Sequence, residues 1–287
     1  MATLTVDNIT YTYAPGSPFE QHAIRQVSLE TVPGELVGVI GHTGSGKSTL
    51  VQHLNGLLRP MEGRILLDGA DIWAEPKKIR DVRFRVGMVF QYPEHQLFED
   101  TIYKDIAFGP KNMGLDEAEI DRRVRAAAAY VGLDEALLEK SPFDLSGGEK
   151  RRAAIAGVMA MEPEILILDE PTAGLDPRGR ETVLAMIEEY RRSRGTTVLL
   201  VTHSMEDVAR VADRVLVMNG GRVAMLDTVE KVFSRAEELE EIGLSIPAVT
   251  KTLLLLRRQG IPVDTSVYTV EQAVQQLLPL LGGDGVC

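Results

Sequence analysis

The stretch Gly41, His42, Thr43, Gly44, Ser45, Gly46, Lys47 and Ser48, followed by Thr49, fits the pattern G-x-x-x-x-G-K-[ST]. Glycines let the backbone wrap so that successive N–H groups point at phosphate oxygens, and a helix starting just after the loop adds its positive dipole end. Lys47 supplies a point charge to the β- and γ-phosphates, and Ser48 offers its hydroxyl to Mg²⁺. Further along, the apolar run Ile165 to Leu168 delivers two carboxylates, Asp169 and Glu170. Asp169 is the candidate anchor of the magnesium shell, and Glu170 the candidate general base that polarises an attacking water. Ser146, Gly147 and Gly148, followed by Glu149 and the basic run Lys150-Arg-Arg152, form a second phosphate-reading turn at a helix start. A chain that already has its phosphate loop has work for a second γ-phosphate reader only at a neighbour's nucleotide. The pattern therefore implies a dimer with ATP sandwiched at the interface.

These residues must be held by strands and helices. Leu4 to Tyr13 alternates like a strand, and Glu35 to Ile40 is a short buried-strand run leading into the glycine-rich turn, after which Ser48 to Leu58 reads as a helix. Ile165 to Leu168 and Thr197 to Val201 are aliphatic without alternation, as parallel strands buried on both faces are; the second ends in Thr202-His203. Helical stretches at Glu117 to Val131, Gly148 to Met161 and Gly179 to Ser193 lie between or beside them. Strands alternating with helices predict an α/β fold with a parallel-sheet core and right-handed crossovers. The mostly helical segment from Tyr92 to Asp144 reads as an insertion, giving a core domain over residues 1–227 with a helical subdomain at about 92–160. Residues 228–287 form a small helical C-terminal appendage for dimerisation or packing. Its stripe of Val229, Val232, Phe233, Ala236, Leu239 and Ile242 needs a buried face, which its own domain or a partner could provide. Helices are also expected over Pro247 to Arg258 and Thr269 to Leu278, the latter opened by a capping box of Thr269 and Gln272.

Composition narrows the function. With 287 residues, 44% hydrophobic and 25% charged, the chain is globular rather than disordered or fibrous. Its single cysteine, Cys287, excludes a disulfide framework and a cysteine-based zinc site, which suits a reducing compartment. The balance of 31 Lys+Arg against 42 Asp+Glu, net −11, argues against nucleic acid as a partner. The most apolar long region, Leu36 to Leu58, is interrupted by Gly, Ser, Thr, His and Lys, so no bilayer span is expected. Met1 to Asp7 lacks the regions of a signal peptide, and the expected location is cytoplasmic.

Taken together, the motifs resemble the nucleotide-binding subunit of ATP-binding cassette (ABC) transporters, P-loop NTPases, over about Leu4 to Asp227. The resemblance implies ATP and Mg²⁺ as cofactors. It also makes Gln91 the Q-loop glutamine, which touches Mg²⁺ or the attacking water and begins the segment that meets a membrane subunit. Ala173-Gly-Leu-Asp176 becomes the D-loop, with Asp176 reaching across the dimer. His203 becomes the switch histidine, holding the γ-phosphate and positioning Glu170. Tyr13 is the adenine-stacking aromatic by the same resemblance, with Tyr11 the neighbouring alternative. Glu149 departs from the glutamine commonest in this signature, and since the serine and glycines make the phosphate contacts the change is expected to preserve activity.

A finer resemblance lies in Phe90-Gln-Tyr-Pro-Glu-His-Gln-Leu-Phe98, Ile106-Ala-Phe-Gly-Pro110, Ala154-Ile-Ala-Gly157, and in the tail at Gly243 to Pro247 and Val249 to Lys251. These are similar to the ATPases of energy-coupling factor transporters, importers of vitamins and of nickel or cobalt ions, and closest to the second of their two ATPase types. The likeness implies three partners: a second ABC ATPase, paralogue or copy; a transmembrane coupling protein; and a substrate-binding membrane subunit. It also implies a peripheral place at the cytoplasmic face of the cell membrane.

Two ABC alternatives are an importer ATPase acting as a homodimer and a soluble ABC ATPase of DNA repair or translation. The latter needs a long coiled-coil insertion or two cassettes, and only one phosphate loop is present. A P-loop kinase or GTPase leaves Ser146 to Glu149 and His203 without a role. The phosphate-loop reading predicts that Lys47→Ala abolishes ATP binding; a fluorescent-nucleotide titration showing unchanged affinity would remove the assignment.

Overall fold

The computed structural model describes residues 2–281, so Cys287 lies outside the described residues. Strands β1 (Leu4–Tyr13) and β2 (Gln21–Glu30) pair antiparallel, and the chain then enters β3 (Leu36–Gly41), every residue of which is buried. Helix α1 (Lys47–Leu54) follows the glycine-rich turn. It ends four residues before the predicted Leu58, because Gly56 turns left-handed at φ +69° and the Leu57 and Leu58 N–H groups both fold back onto Gln52 O. A side chain at Gly56 would also meet Ile79 Cδ1 at 2.5 Å.

Strands β4 (Glu62–Leu67) and β5 (Ala70–Asp71) complete a four-stranded antiparallel sheet of order β2-β1-β4-β5. Helix α2 (Ile79–Arg85) leads into β6 (Val86–Val89). Helices α3 (Ile102–Asn112), α4 (Glu117–Tyr130) and α5 (Gly147–Met159) follow, then β7 (Ile165–Asp169), α6 (Pro177–Arg194), β8 (Thr197–Val201), α7 (Met205–Val211), β9 (Arg214–Asn219) and β10 (Arg222–Thr228). The second sheet has the order β10-β9-β3-β8-β7-β6, parallel except for β10 against β9.

Successive side chains of a strand point to opposite faces, and here both faces are covered. Leu166 and Leu168 of β7 and Val198 and Leu200 of β8 enter a core shared with α3, α4, α5 and α6. Their neighbours Ile165, Ile167, Leu199 and Val201 enter a second core shared with α1 and the antiparallel sheet. This is why these strands read as unbroken apolar runs. The antiparallel sheet was not expected from the pattern beyond β1. Asn8 and Gln26 take positive φ at +54° and +52°, and the β1–β2 register slips along the pair, which breaks the alternation that marks a half-buried strand.

The tail forms α8 (Val229–Phe233), α9 (Ala236–Glu241), α10 (Ala248–Arg258) and α11 (Val270–Leu277). The capping box at Thr269 is present, with its Oγ1 accepting from the Gln272 N–H (3.3 Å) and Gln272 Oε1 accepting from the Thr269 N–H (3.2 Å). Of the two faces open to the apolar stripe, its own domain provides the one used: Val229, Val232, Phe233, Ala236 and Leu239 are buried against Ile40, Met205, Val208, Val215 and Val217. Phe233 is fully buried, so Phe233→Ala in the isolated subunit should cost about 3–5 kcal/mol of stability. Urea unfolding checks this, and an unmoved midpoint would mean that the tail is not seated on the sheet.

Candidate active site

The turn after β3 is shaped by close approach. A Cβ on Gly41 would lie 2.4 Å from Met218 O and 2.5 Å from Ser45 Oγ, and one on Gly46, at φ +101°, would lie 2.5 Å from Ala23 O. Glycine alone fits both places. The Ser45 N–H donates to His42 O (3.1 Å) and Ser45 O accepts from Gly221 N–H (3.1 Å), which pins the loop to the β9–β10 turn. His42 is exposed and contacts Asn219 Oδ1 through Nε2 (3.1 Å). Lys47 Nζ folds back over the loop and donates to Gly41 O (2.7 Å) and His42 O (3.0 Å). Thr43 and Gly44 are exposed at the rim, and Ser48 and Thr49 stand in the first turn of α1.

Asp169 and Glu170 emerge where β7 ends beside β8, with Asp169 in register with Val201 and the Glu170 N–H donating to Val201 O (2.9 Å). Asp169 is buried, and burial pushes its carboxyl above the usual carboxylate range, with the Glu170 charge adding to the rise while the Ser48 hydrogen bond and Lys47 oppose it. Burial likewise lowers the Lys47 ammonium, and the charges of Glu170 and Asp169 work against that fall. Glu170 takes a left-handed backbone at φ +53°, a conformation that costs a non-glycine residue energy. His203 Nδ1 stands 2.8 Å from Glu170 Oε2, without the alignment of a hydrogen bond, and its ring is largely exposed.

Between the two tyrosines the geometry discriminates. Tyr13 is 36% exposed, and its hydroxyl is 3.3 Å from Thr49 Oγ1 at the phosphate-loop helix. Tyr11 is partly buried, edge-on to both Tyr13 and His53. His53, buried behind the loop and hydrogen-bonded to Thr49 O (2.7 Å), was not anticipated; its only sequence signal is the four-residue step from Thr49.

Gln91 follows β6, whose Val89 is in register with Leu168, so it stands at the same sheet edge one strand from Asp169. Among the described residues no hydrogen bond joins it to Ser48 or Asp169. Nor does any join Ser146 or Asp176 to the loop. Ser146 caps α5 in a capping box, its Oγ donating to Glu149 Oε2 (2.6 Å) and its N–H to the same oxygen (2.8 Å), while Gly147 and Gly148 open the helix. These bonds hold the Glu149 carboxyl below its ordinary value. Asp176 caps α6, accepting from the Gly179 N–H at 2.7 Å. Phosphate loop, carboxylates, His203 and Tyr13 thus form one cluster, and Ser146 and Asp176 are presented outward on separate helix starts.

The ABC transporter family matches residues 24–173. An energy-coupling factor transporter ATP-binding protein of Clostridium perfringens (strain 13 / Type A) is 51% identical over 280 residues, 97% of this chain and 98% of that one. The chain belongs to this family of ABC ATPases. Its fold agrees: cbiO1 from Clostridium perfringens, described as part of the ABC transporter complex cbiONQ, superposes with a TM-score of 0.74 at 40% identity, covering 90% of this chain and 96% of that one. A cassette solved as a dimer in a post-hydrolysis state with ADP and Pi has a TM-score of 0.71 at 26% identity, covering 79% of this chain and 98% of that one. The protein is accordingly an ATP-hydrolysing subunit of an energy-coupling factor transporter. No helix among the described residues is long and apolar enough to cross a membrane.

The raised Asp169 carboxyl has a consequence for the nucleotide-free chain. A carboxyl whose folded value lies above its unfolded one favours folding most at low pH and loses that contribution as pH rises through the folded value. Asp169→Asn should therefore melt higher than the parent at pH 7, with the gap closing toward about pH 4, near the ordinary carboxylate value. A gap that stays constant across that range in thermal melts would contradict the assignment of burial as the cause.

Proposed function

We propose that this ATPase powers uptake of a vitamin or of nickel or cobalt ions, paired with a paralogous second ABC ATPase beneath a transmembrane coupling protein that carries a substrate-binding membrane subunit. The observation that carries the reading is likeness to energy-coupling factor ATPases over nearly the whole chain, the helical tail included. The subunit sits peripherally on the cytoplasmic face of the membrane.

In this reading ATP lies between the phosphate loop of one cassette and the signature turn of the other. Tyr13 stacks on the adenine. The N–H groups of Gly41 to Thr49 and the start of α1 receive the phosphates, and Lys47 exchanges its bonds to Gly41 O and His42 O for phosphate oxygens. The donor set suits Mg²⁺, a hard cation that takes few protein oxygens and keeps phosphate and water ligands. Ser48 and Asp169 would hold it, with Gln91 at the adjoining strand end, and when bound it would neutralise charge on the phosphates. Glu170 accepts the proton of the attacking water, and His203, already beside it at 2.8 Å, orients it toward the γ-phosphate. Ser146, Gly147 and Gly148 reach the partner's γ-phosphate, and Asp176 crosses the same interface.

Two surfaces support the partner assignment. Past Gln91, Phe98 and Phe108 are exposed as an edge-to-face pair with centroids 5.0 Å apart, suited to apolar helices of a coupling protein. On α11, Val270 and Val274 are exposed at four-residue spacing, and Leu278 continues the line, suited to the partner ATPase. Tagged protein pulled from native membranes in mild detergent should bring down a second ABC ATPase, a coupling protein and small hydrophobic membrane subunits, identified by mass spectrometry. Recovery of itself alone, or of another permease, would overturn the transporter assignment and leave the ATPase standing.

A further inference from the structure

The helix that Ser146 caps carries an arginine whose type and place no role described so far requires. Arg151 lies in the basic run of α5, yet it is only 4% exposed. Its Nε and Nη2 donate to Glu94 Oε2 (3.0 Å) and Oε1 (2.7 Å), a bidentate pair. Its Nη1 donates to Ala173 O (2.7 Å) and Pro171 O (3.4 Å). One planar guanidinium therefore ties together three segments distant in sequence. They are the turn Pro93–Gln96 that follows Gln91, the helix opened by Ser146, and the loop between Glu170 and Asp176.

The chemistry of the joint is specific to arginine. Its donors are fixed in a rigid fork that can engage a carboxylate on one edge and carbonyls on the other, whereas a lysine offers one point charge. A buried ion pair is a poor device for stability alone, because desolvation of both charges consumes most of the attraction and apolar residues of similar size do as well. The joint also bears directly on the water-activating carboxylate. The Ala173 N–H donates to Glu170 O (3.1 Å), closing a turn whose first residue is Glu170 in its left-handed conformation. Pro171 and Thr172 inside that turn are buried, and Thr172 Oγ1 donates to Asp207 Oδ2 (3.2 Å). The turn is thus held on one side by the guanidinium and on the other by Asp207.

We propose that Arg151 is a positioning residue that makes ATP hydrolysis depend on the location of the segment after Gln91. When that segment is displaced, Glu94 draws the guanidinium with it, and the Glu170 turn and the Ser146 helix move together. The inference rests on the roles assigned above to Glu170 and Ser146, and it adds the part that links them within one cassette.

The test uses the assembled transporter in proteoliposomes. Arg151→Lys keeps a charge opposite Glu94 but cannot bridge to both carbonyls; the paired change Glu94→Leu with Arg151→Met removes the joint without stranding a buried charge. Both are expected to lower kcat about tenfold or more while KM, nucleotide affinity at the phosphate loop and melting temperature stay near parental values. Turnover within about twofold of the parent in the paired variant would overturn the proposal. So would a fall in kcat matched by loss of ATP affinity or thermal stability, or failure of both variants to assemble, since each assigns Arg151 to folding alone. Glu170→Gln run alongside separates the two levels: normal turnover in that control would mean that the reading of Glu170 has failed rather than the joint.

Discussion

Strands β3, β7 and β8 have no face turned to water, and the placement of every charged group in the site follows from that constraint. A side chain inside such a strand enters a packed core on whichever face it points to, so a carboxylate or a lysine there would be stranded without solvent. Charge can appear only where the strands run out. Gly41 leads to Lys47 at the end of β3, Asp169 and Glu170 stand at the end of β7, and His203 stands beyond β8. Because the three strands are parallel neighbours, their ends share one edge, and residues spread across the chain meet there.

The same edge is electrostatically unfinished. Asp169 is desolvated with only a serine hydroxyl and a nearby lysine in compensation, and Lys47 spends its donors on carbonyls of its own loop. Neither arrangement is the most stable use of those groups. In the proposed site, polyanionic phosphate with a divalent cation would satisfy both at once, offering acceptors to Lys47 and positive charge to Asp169. Binding of that kind would repay what the folded chain gives up at this edge, where Glu170 also holds a left-handed backbone.

Much of this was legible in the residues because it is local. The phosphate loop, the two carboxylates and the apolar runs before them are contiguous, and β7 and β8 lie where their composition put them. What was not legible depends on approach from elsewhere in the chain. α1 stops early because Ile79 and the left-handed Gly56 leave no room to continue, and the antiparallel sheet is disguised by the positive-φ residues Asn8 and Gln26. The resemblance names Tyr13 with Tyr11 as its alternative, and the packing of Tyr11 against His53 is visible only in the fold. Arg151 stands in a run of three basic residues at a helix start, and no periodicity marks it as the one that turns inward.

The strand order has a bearing on how the protein comes into being. β3, which carries the phosphate loop, is flanked by β8 and β9, and the loop is pinned by Gly221. During synthesis β3 leaves the ribosome long before either flanking strand exists. Its edges stay unpaired through most of translation, and the glycine-rich loop is pinned only after the last parallel strand and the turn beyond it have emerged. Pairings of such long sequence separation make a fold slow to form and leave apolar strand edges open to wrong partners meanwhile. The nascent subunit is thus most exposed to aggregation over the very strand on which its later activity is built.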